Sequence, residues 1–169
     1  IYLDYSIKDP AAHGFEILRG RTSHQDRDRV AADAMVEYLA RRRDRPFLAV
    51  ASFINPHDVC QFSRDQPIPS GPLEPTPPPE ACPPPPPNPE PPEDETDSIG
   101  FLRRGCHANP LFPVADFTRD RWRQVRWGHY RLIERVDREI GRVLEALRDG
   151  GLEEDTVIVF TSDHGECAG

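Results

Sequence analysis

The sequence has no long apolar run, no close pair of cysteines and no excess of positive charge. None of its apolar runs approaches the roughly 20 residues of a membrane-spanning helix, so we expect no membrane span. The four cysteines, at positions 60, 82, 106 and 167, lack the Cys-x-x-Cys spacing of zinc sites. Free thiols and a disulfide are equally open for these cysteines. The cellular compartment is therefore open too, although a periplasmic or secreted location is slightly favoured. The formal net charge of −8 argues against a nucleic-acid partner.

Proline is concentrated in one part of the 169-residue chain. Of its 20 prolines, 15 lie between Pro67 and Pro92. Because proline lacks an N–H and fixes φ, we expect residues 63–96 to form an extended surface excursion. Two roles are open for this excursion: a passive connector, and a wall beside the entrance to an active site. Since the chain starts at Ile1 and stops at Gly169 just after a polar motif, we expect one partial domain over residues 1–169 of a longer protein.

The remaining sequence alternates between helical and strand-like patterns. Apolar residues at helical spacing predict helices near residues 25–42 and 116–148. Continuous apolar runs at residues 47–54 and 156–161, each between breakers, are typical of strands covered on both faces. The order helix, strand, long excursion, helix, strand predicts an α/β fold whose sheet contains parallel strands.

Polar motifs follow both predicted strands. Residues 55–58 read Asn-Pro-His-Asp, and residues 162–166 read Ser-Asp-His-Gly-Glu. Ligands collect beyond the carboxyl ends of parallel strands, so we expect His57, Asp163 and His164 to lie around one pocket. This expectation depends on the two strands being neighbours.

Asp163 and His164 are candidate metal ligands. A carboxylate beside a dry apolar run needs a partner, because burying it alone is costly, and its oxygens suit a hard cation such as calcium or magnesium. The alternative is a helix N-cap at Ser162 or Asp163, with His164 merely exposed.

His57 is a candidate for binding an anion or protonating a leaving oxygen, because the unperturbed imidazole of histidine changes charge close to neutral pH. The alternative is a turn histidine that follows Asn-Pro and has no catalytic role.

These segments, taken together, resemble the sulfatase family. Residues 45–58 are similar to that family's Pro-Phe-strand-Pro-His segment, residues 136–147 to the helix that precedes its second motif, and residues 151–166 to its Ser-Asp-His-Gly-Glu region. The resemblance implies an alkaline-phosphatase-like mixed or parallel sheet with flanking helices, and metal-assisted hydrolysis of sulfate esters on a small molecule or carbohydrate. It implies that Asp163 and His164 bind a divalent cation, usually Ca²⁺, and that His57 contacts the sulfate or its leaving group.

The family's nucleophile motif has no match in this chain. Sulfatases use a formylglycine made from Cys or Ser in a Cys-x-Pro/Ala-Ser-Arg context, which we expect in a preceding N-terminal segment. The run Cys60-Gln61-Phe62-Ser63-Arg64 has Phe62 in place of Pro or Ala and follows the Pro-His segment instead of preceding it. A phosphodiesterase or phosphonate monoester hydrolase of the same superfamily, and a noncatalytic anion-binding relative, therefore stay open as alternatives.

Overall fold

The described part of the chain is helical. It comprises residues 11–18, 26–87, 91–108 and 113–166 of a computed structural model. The α-helices in these ranges are α1 (Arg27–Leu39), α2 (Val59–Ser63), α3 (Asp97–Ala108) and α4 (Arg119–Asp149). Single 3₁₀ turns lie at Ala11–His13, Pro79–Ala81, Pro113–Asp116 and Glu153–Asp155. None of the helices in these ranges is long and apolar enough to cross a membrane.

The two long helices confirm the helical periodicity of the sequence. α4 begins after Thr118, whose hydroxyl accepts a hydrogen bond from the Arg121 backbone N–H at 3.1 Å, as an N-cap residue does. It ends at Gly150 and Gly151, and Gly151 adopts a left-handed φ of 64° that glycine tolerates without steric cost. The Leu152 N–H then donates to the Leu147 carbonyl, which satisfies one of the last carbonyls of the helix.

The core consists of small clusters in which α1 and α4 supply most of the buried side chains. Met35 and Leu39 of α1 pack with Leu147 of α4, and all three are at most 5 % exposed. A second cluster joins Val59 to Val125 and Leu132, and Leu132 is fully buried. A third, smaller cluster contains Ala31 and Ala34. α1 and α4 therefore pack together mainly through their apolar stripes.

The short helix α2 packs directly on the backbone of α4. A Cβ added at Gly128 would lie 2.4 Å from Cε1 of Phe62, so the Phe62 ring occupies the space that any larger residue would need. The same ring is 6.2 Å from the Trp127 ring, centroid to centroid. Gly128 thus allows α2 to approach α4 closely.

Side chains of α4 hold the first half of the Pro-rich excursion against the helix. Arg135 donates to the carbonyls of Ser70, Gly71 and Pro72. Arg123 donates to the carbonyl of Pro79 at 2.7 Å and to those of Glu80 and Cys82. An extended proline-rich chain makes no internal hydrogen bonds, so these arginines satisfy carbonyls that would otherwise depend on water.

The predicted α/β fold is wrong for the described residues, because the structure contains helices and no strand there. Residues 47–51 alternate as an extended chain does: Phe47, Ala49 and Ala51 pack on the α1–α4 cluster, while Leu48 is 85 % exposed. Residues 157–160 lie uncovered, from 53 to 90 % exposed. Neither segment has a strand beside it in the described ranges. A strand exists only as part of a hydrogen-bonded ladder, so apolar composition alone does not produce one.

That residues 63–96 form a surface excursion stays a prediction. α2 ends at Ser63, and the 3₁₀ turn Pro79–Ala81 is the next short helical element. That residues 1–169 form a single partial catalytic domain stays a prediction.

Candidate active site

Hydrogen bonds to Asp28, near the start of α1, fix the loop that carries His57. The Asp28 carboxylate accepts hydrogen bonds from the backbone N–H of Ile54 at 2.6 Å and of Asn55 at 3.3 Å, and from the Asn55 side-chain amide at 2.7 Å. Asp28 and Asn55 are both 7 % exposed. Burial raises the pKa of Asp28, and the hydrogen bonds from Ile54 and Asn55 oppose that rise. The end of the segment 47–54 is therefore attached to the start of α1.

The backbone on both sides of His57 is held by hydrogen bonds, and the side chain is exposed. The His57 N–H donates to the Ile54 carbonyl, and the His57 carbonyl accepts from the Cys60 N–H, both at 3.1 Å. The next residue, Asp58, is buried, and its carboxylate accepts from the Ser70 N–H at 3.1 Å and the Ser70 hydroxyl at 2.7 Å. A fixed backbone with an exposed imidazole suits contact with a ligand from solvent.

Asp163 and His164 contact each other at the far end of the second apolar segment. The His164 N–H donates to Asp163 Oδ1 at 3.0 Å, and His164 Nε2 lies 3.6 Å from Asp163 Oδ2. His164 Nδ1 lies 2.8 Å from the Gly165 carbonyl, and the Ser162 hydroxyl donates to the His164 carbonyl at 2.6 Å. The Gly165 carbonyl raises the pKa of His164, and the Asp163 carboxylate adds to this rise. Both side chains are exposed.

Metal binding by these two residues stays a prediction, for which their side chains supply ligand atoms. The Asp163 oxygens suit a hard cation such as calcium, which takes 6–8 oxygen ligands. The His164 nitrogens face Asp163 and Gly165, so binding a metal through the imidazole requires that it leave one of these contacts. The described residues include no group of three or more His, Cys, Asp and Glu side chains that could hold an ion. Asp163 and His164 therefore need further ligands to hold a metal ion.

Glu166 connects the second motif with the region of the first. Burial raises the pKa of the Cys60 thiol, and the Glu166 carboxylate raises it further. Burial lowers the pKa of the half-buried His129, and the same Glu166 carboxylate opposes this effect. Glu166 therefore lies within electrostatic reach of α2 and of the first half of α4, and α2 begins two residues after His57. That His57 itself faces the Asp163–His164 pair stays a prediction.

The cysteine-containing run 60–64 has a packing role. It forms α2 and continues to its C-cap, Arg64. A thiol whose pKa is raised carries little of the thiolate that attacks electrophiles, and Phe62 of the same run fills the space above Gly128. These observations argue against Cys60 as a nucleophile.

The buried polar side chains of Asp28, Asn55 and Asp58 were not predicted from the sequence. Asp28 lies in the first turn of α1, three and four residues before the buried Ala31 and Ala32, and therefore on the same side of the helix as these residues. An acidic residue on the buried side of a predicted helix indicates a structural hydrogen bond, and this signal was present in the sequence.

Comparison with known proteins gives one consistent result. The family model described as Sulfatase matches residues 4–169. The chain is 40 % identical to arylsulfatase K of Gallus gallus over 55 residues, which are 32 % of this chain and 10 % of that protein. It is 41 % identical over 54 residues to the endo-4-O-sulfatase of Bacteroides thetaiotaomicron, covering 32 % of this chain and 10 % of that protein.

A longer alignment is more distant. The chain is 26 % identical over 143 residues to the Delta 4,5-hexuronate-2-O-sulfatase of Bacteroides thetaiotaomicron, which covers 78 % of this chain and 27 % of that protein. The chain thus spans about a tenth to a quarter of the curated relatives it matches. No solved structure gave a significant match.

Proposed function

The chain belongs to the sulfatase family, and from this premise we propose that it is part of a metal-assisted hydrolase of sulfate esters. The observation that carries the proposal is the contact between Asp163 and His164 within a family match that covers residues 4–169. The electrostatic effect of the Glu166 carboxylate on the pKa of the Cys60 thiol adds support, because such an effect requires Glu166 to lie within electrostatic reach of the helix that follows His57.

In this proposal Asp163 and His164 hold a calcium ion together with ligands from outside the described residues. A bound cation would neutralise charge on the sulfate oxygens. Asp163 supplies carboxylate oxygen. His164 supplies a ring nitrogen once its imidazole is neutral, so the contact that raises its pKa competes with metal binding.

His57 acts on the anion in this proposal. Its exposed imidazole donates a hydrogen bond to a sulfate oxygen or a proton to the departing ester oxygen. The hydrogen bonds of Asp28 to Ile54 and Asn55 keep the turn in place, which reduces the entropy lost when the ligand binds.

The nucleophile lies outside this chain in our proposal. The 169 residues contain no Cys-x-Pro/Ala-Ser-Arg segment, and the buried surroundings of Cys60 disfavour its thiolate. A formylglycine elsewhere in the protein would supply the attacking oxygen. The 169-residue chain alone would then hydrolyse no sulfate ester.

Carbohydrate sulfates are the substrate class that we propose. Two of the matched bacterial relatives bear the names endo-4-O-sulfatase and hexuronate-2-O-sulfatase. A sugar sulfate would present one anionic group to His57 and the cation, and its hydroxyls to the surrounding polar side chains.

Calcium binding by a longer protein that contains this chain and the remaining ligands tests the metal assignment. Isothermal titration with CaCl₂ should show that Asp163→Asn weakens binding at least about tenfold, corresponding to roughly 1.4 kcal/mol. Asp155→Asn removes the same charge from a nearby exposed position and should leave affinity within about twofold, roughly 0.4 kcal/mol. Equal effects of the two substitutions would remove Asp163 from the ligand set.

An activity assay tests the location of the nucleophile. Incubation of the chain with a chromogenic aryl sulfate and calcium should give no turnover above the buffer rate. Turnover by the chain would refute the proposal that the nucleophile lies elsewhere. In a longer protein that contains the nucleophile, Asp163→Asn should abolish most of the activity.

A further inference from the structure

The Pro-rich excursion contains two proline runs. Among the described residues, α4 donates hydrogen bonds to the first run and to residues on both sides of it, but not to the second run. The first proline run is residues 75–79, and the second is Pro83–Pro87. Gln124 donates to the Pro77 carbonyl at 3.3 Å, and Arg123 to the Pro79 carbonyl at 2.7 Å. The contacts of Arg123 extend to the Cys82 carbonyl, also at 2.7 Å. The second run therefore starts directly after a fixed point.

The proline rings of the second run keep its backbone extended. Each of residues 82–86 precedes a proline, and a residue before proline avoids the helical region. Cys82 shows this with φ −87° and ψ 159°, and proline itself holds φ near the polyproline II value. Within the described ranges, no donor is bonded to the carbonyls of residues 83–87.

The exposed prolines of the second run lie on one side. Pro84 and Pro87 are exposed, and the three other prolines of the run are partly covered. A polyproline II helix has three residues per turn, so positions 84 and 87 share a face. Exposed carboxylates flank the run at Glu80, Glu93 and Asp94. The segment thus presents a proline ridge and negative charge, and its carbonyls have no donor among the described residues.

We propose that the second proline run is a docking segment for a protein groove lined by aromatic side chains and rimmed by lysine or arginine. Aromatic rings pack against the ridge of Pro84 and Pro87, and Trp or Tyr donors of the groove bind the carbonyls of the run. The run is already extended and is attached to α4 at Cys82, so little conformational entropy is lost on docking. The basic rim matches the acidic flanks.

The test uses the full 169-residue chain and a panel of purified WW, SH3 and EVH1 domains, with binding followed by NMR titration. At least one domain with a basic rim should bind saturably. The double variant Pro84→Ala/Pro87→Ala should weaken this binding at least about tenfold, roughly 1.4 kcal/mol. The matched double variant Pro75→Ala/Pro78→Ala changes two exposed prolines at the same spacing in the first run. Because α4 already binds carbonyls of that run, binding should stay within about twofold, roughly 0.4 kcal/mol.

Three outcomes would overturn the proposal: no saturable binding by any domain of the panel, equal effects of the two double variants, or a larger effect of the first-run variant. Circular dichroism checks that each variant keeps its helices. If the double variant of the second run loses structure, the single variant Pro84→Ala takes its place, and binding that it leaves unchanged overturns the proposal. Binding should also weaken as salt is raised, because the acidic flanks contribute.

Discussion

At the scale of single residues, Gly128 controls the approach of α2 to α4. A Cβ at this position would lie 2.4 Å from the Phe62 ring, well inside contact distance. Gly128→Ala should therefore destabilise the chain by about 1–2 kcal/mol, since overpacking outweighs the gain in helix propensity. Urea denaturation followed by circular dichroism measures the change.

Gly141 provides the matched control on the same helix. A Cβ there meets nothing within 4 Å, so Gly141→Ala should stabilise the chain by up to about 1 kcal/mol through helix propensity alone. If both substitutions stabilise equally, Phe62 does not pack on Gly128 in solution.

Asp28 should make stability depend on pH in a defined direction. Burial is the main cause of its raised pKa. A carboxyl group whose pKa is higher in the folded state stabilises that state most when protonated. Its contribution is therefore complete below the unfolded value of 3.8 and is lost as pH rises through the folded pKa.

Comparison with Asp28→Asn isolates this effect. The difference in free energy of unfolding, wild type minus variant, should decrease as pH is raised from 3.8 towards neutrality, and denaturant titrations across this range measure it. Asp94→Asn, at an exposed position, corrects for the general loss of one negative charge. A difference that grows with pH would mean that the hydrogen bonds from Ile54 and Asn55 outweigh burial.

At the scale of elements, Arg123 attaches the Pro-rich excursion to α4 through three carbonyls. Arg123→Ala should release this part of the excursion and expose the Cys82 thiol, which is 4 % exposed in the structure. Local opening of this kind raises thiol reactivity, and we expect labelling of Cys82 to accelerate at least about tenfold. Mass spectrometry of the labelled peptide distinguishes Cys82 from the other cysteines.

Arg138 on the same helix is exposed and supplies the control. Arg138→Ala should leave the labelling rate of Cys82 close to that of the wild type. If Arg123→Ala does the same, the three hydrogen bonds of Arg123 do not hold the excursion.

The sequence predicted α1 and α4 because their signals are local, whereas α2 and α3 were not predicted. The apolar stripe that includes Leu132, Val136 and Leu147 is buried on α4, and Gly151 takes the left-handed conformation at the end of this helix. Periodicity and stop residues act within a few turns.

The predicted strands failed because a strand depends on residues far away in the sequence. Val157 and Phe160 are strongly apolar, yet they are 90 % and 80 % exposed. The run has the composition of a strand, but the described chain provides no neighbour to complete a ladder. The sequence did place Asp163 beside His164, since the two are consecutive. The approach of Glu166 to α2 depends on tertiary packing and was not predictable.

At the scale of the whole molecule, an acidic chain carries an uncovered apolar segment. The net charge is −8, and residues 157–160 are all more than half exposed. Short exposed runs with high β-propensity and no charge promote association. We expect the chain to self-associate with increasing concentration, more strongly when salt screens its net charge. Sedimentation velocity at low and high salt measures this.

Charge placed within the apolar run should suppress the association. Val159→Lys interrupts the run, whereas Thr161→Lys adds the same charge just beyond it at an exposed position. Only the first variant should restore a monomer at high concentration. If both variants act equally, net charge, and not the apolar run, controls the association.

The two hydrogen bonds from the backbone of Ile54 and Asn55 to Asp28 couple the position of the first turn of α1 to the position of His57. Asp28 and His57 are 29 positions apart along the chain, yet Ile54 and Asn55, which bond to Asp28, lie only three and two positions before His57. Small changes in the tilt of α1 would therefore shift the imidazole without altering any side chain near it. Such remote tuning offers a way to adjust ligand geometry while the residues that meet the ligand stay the same.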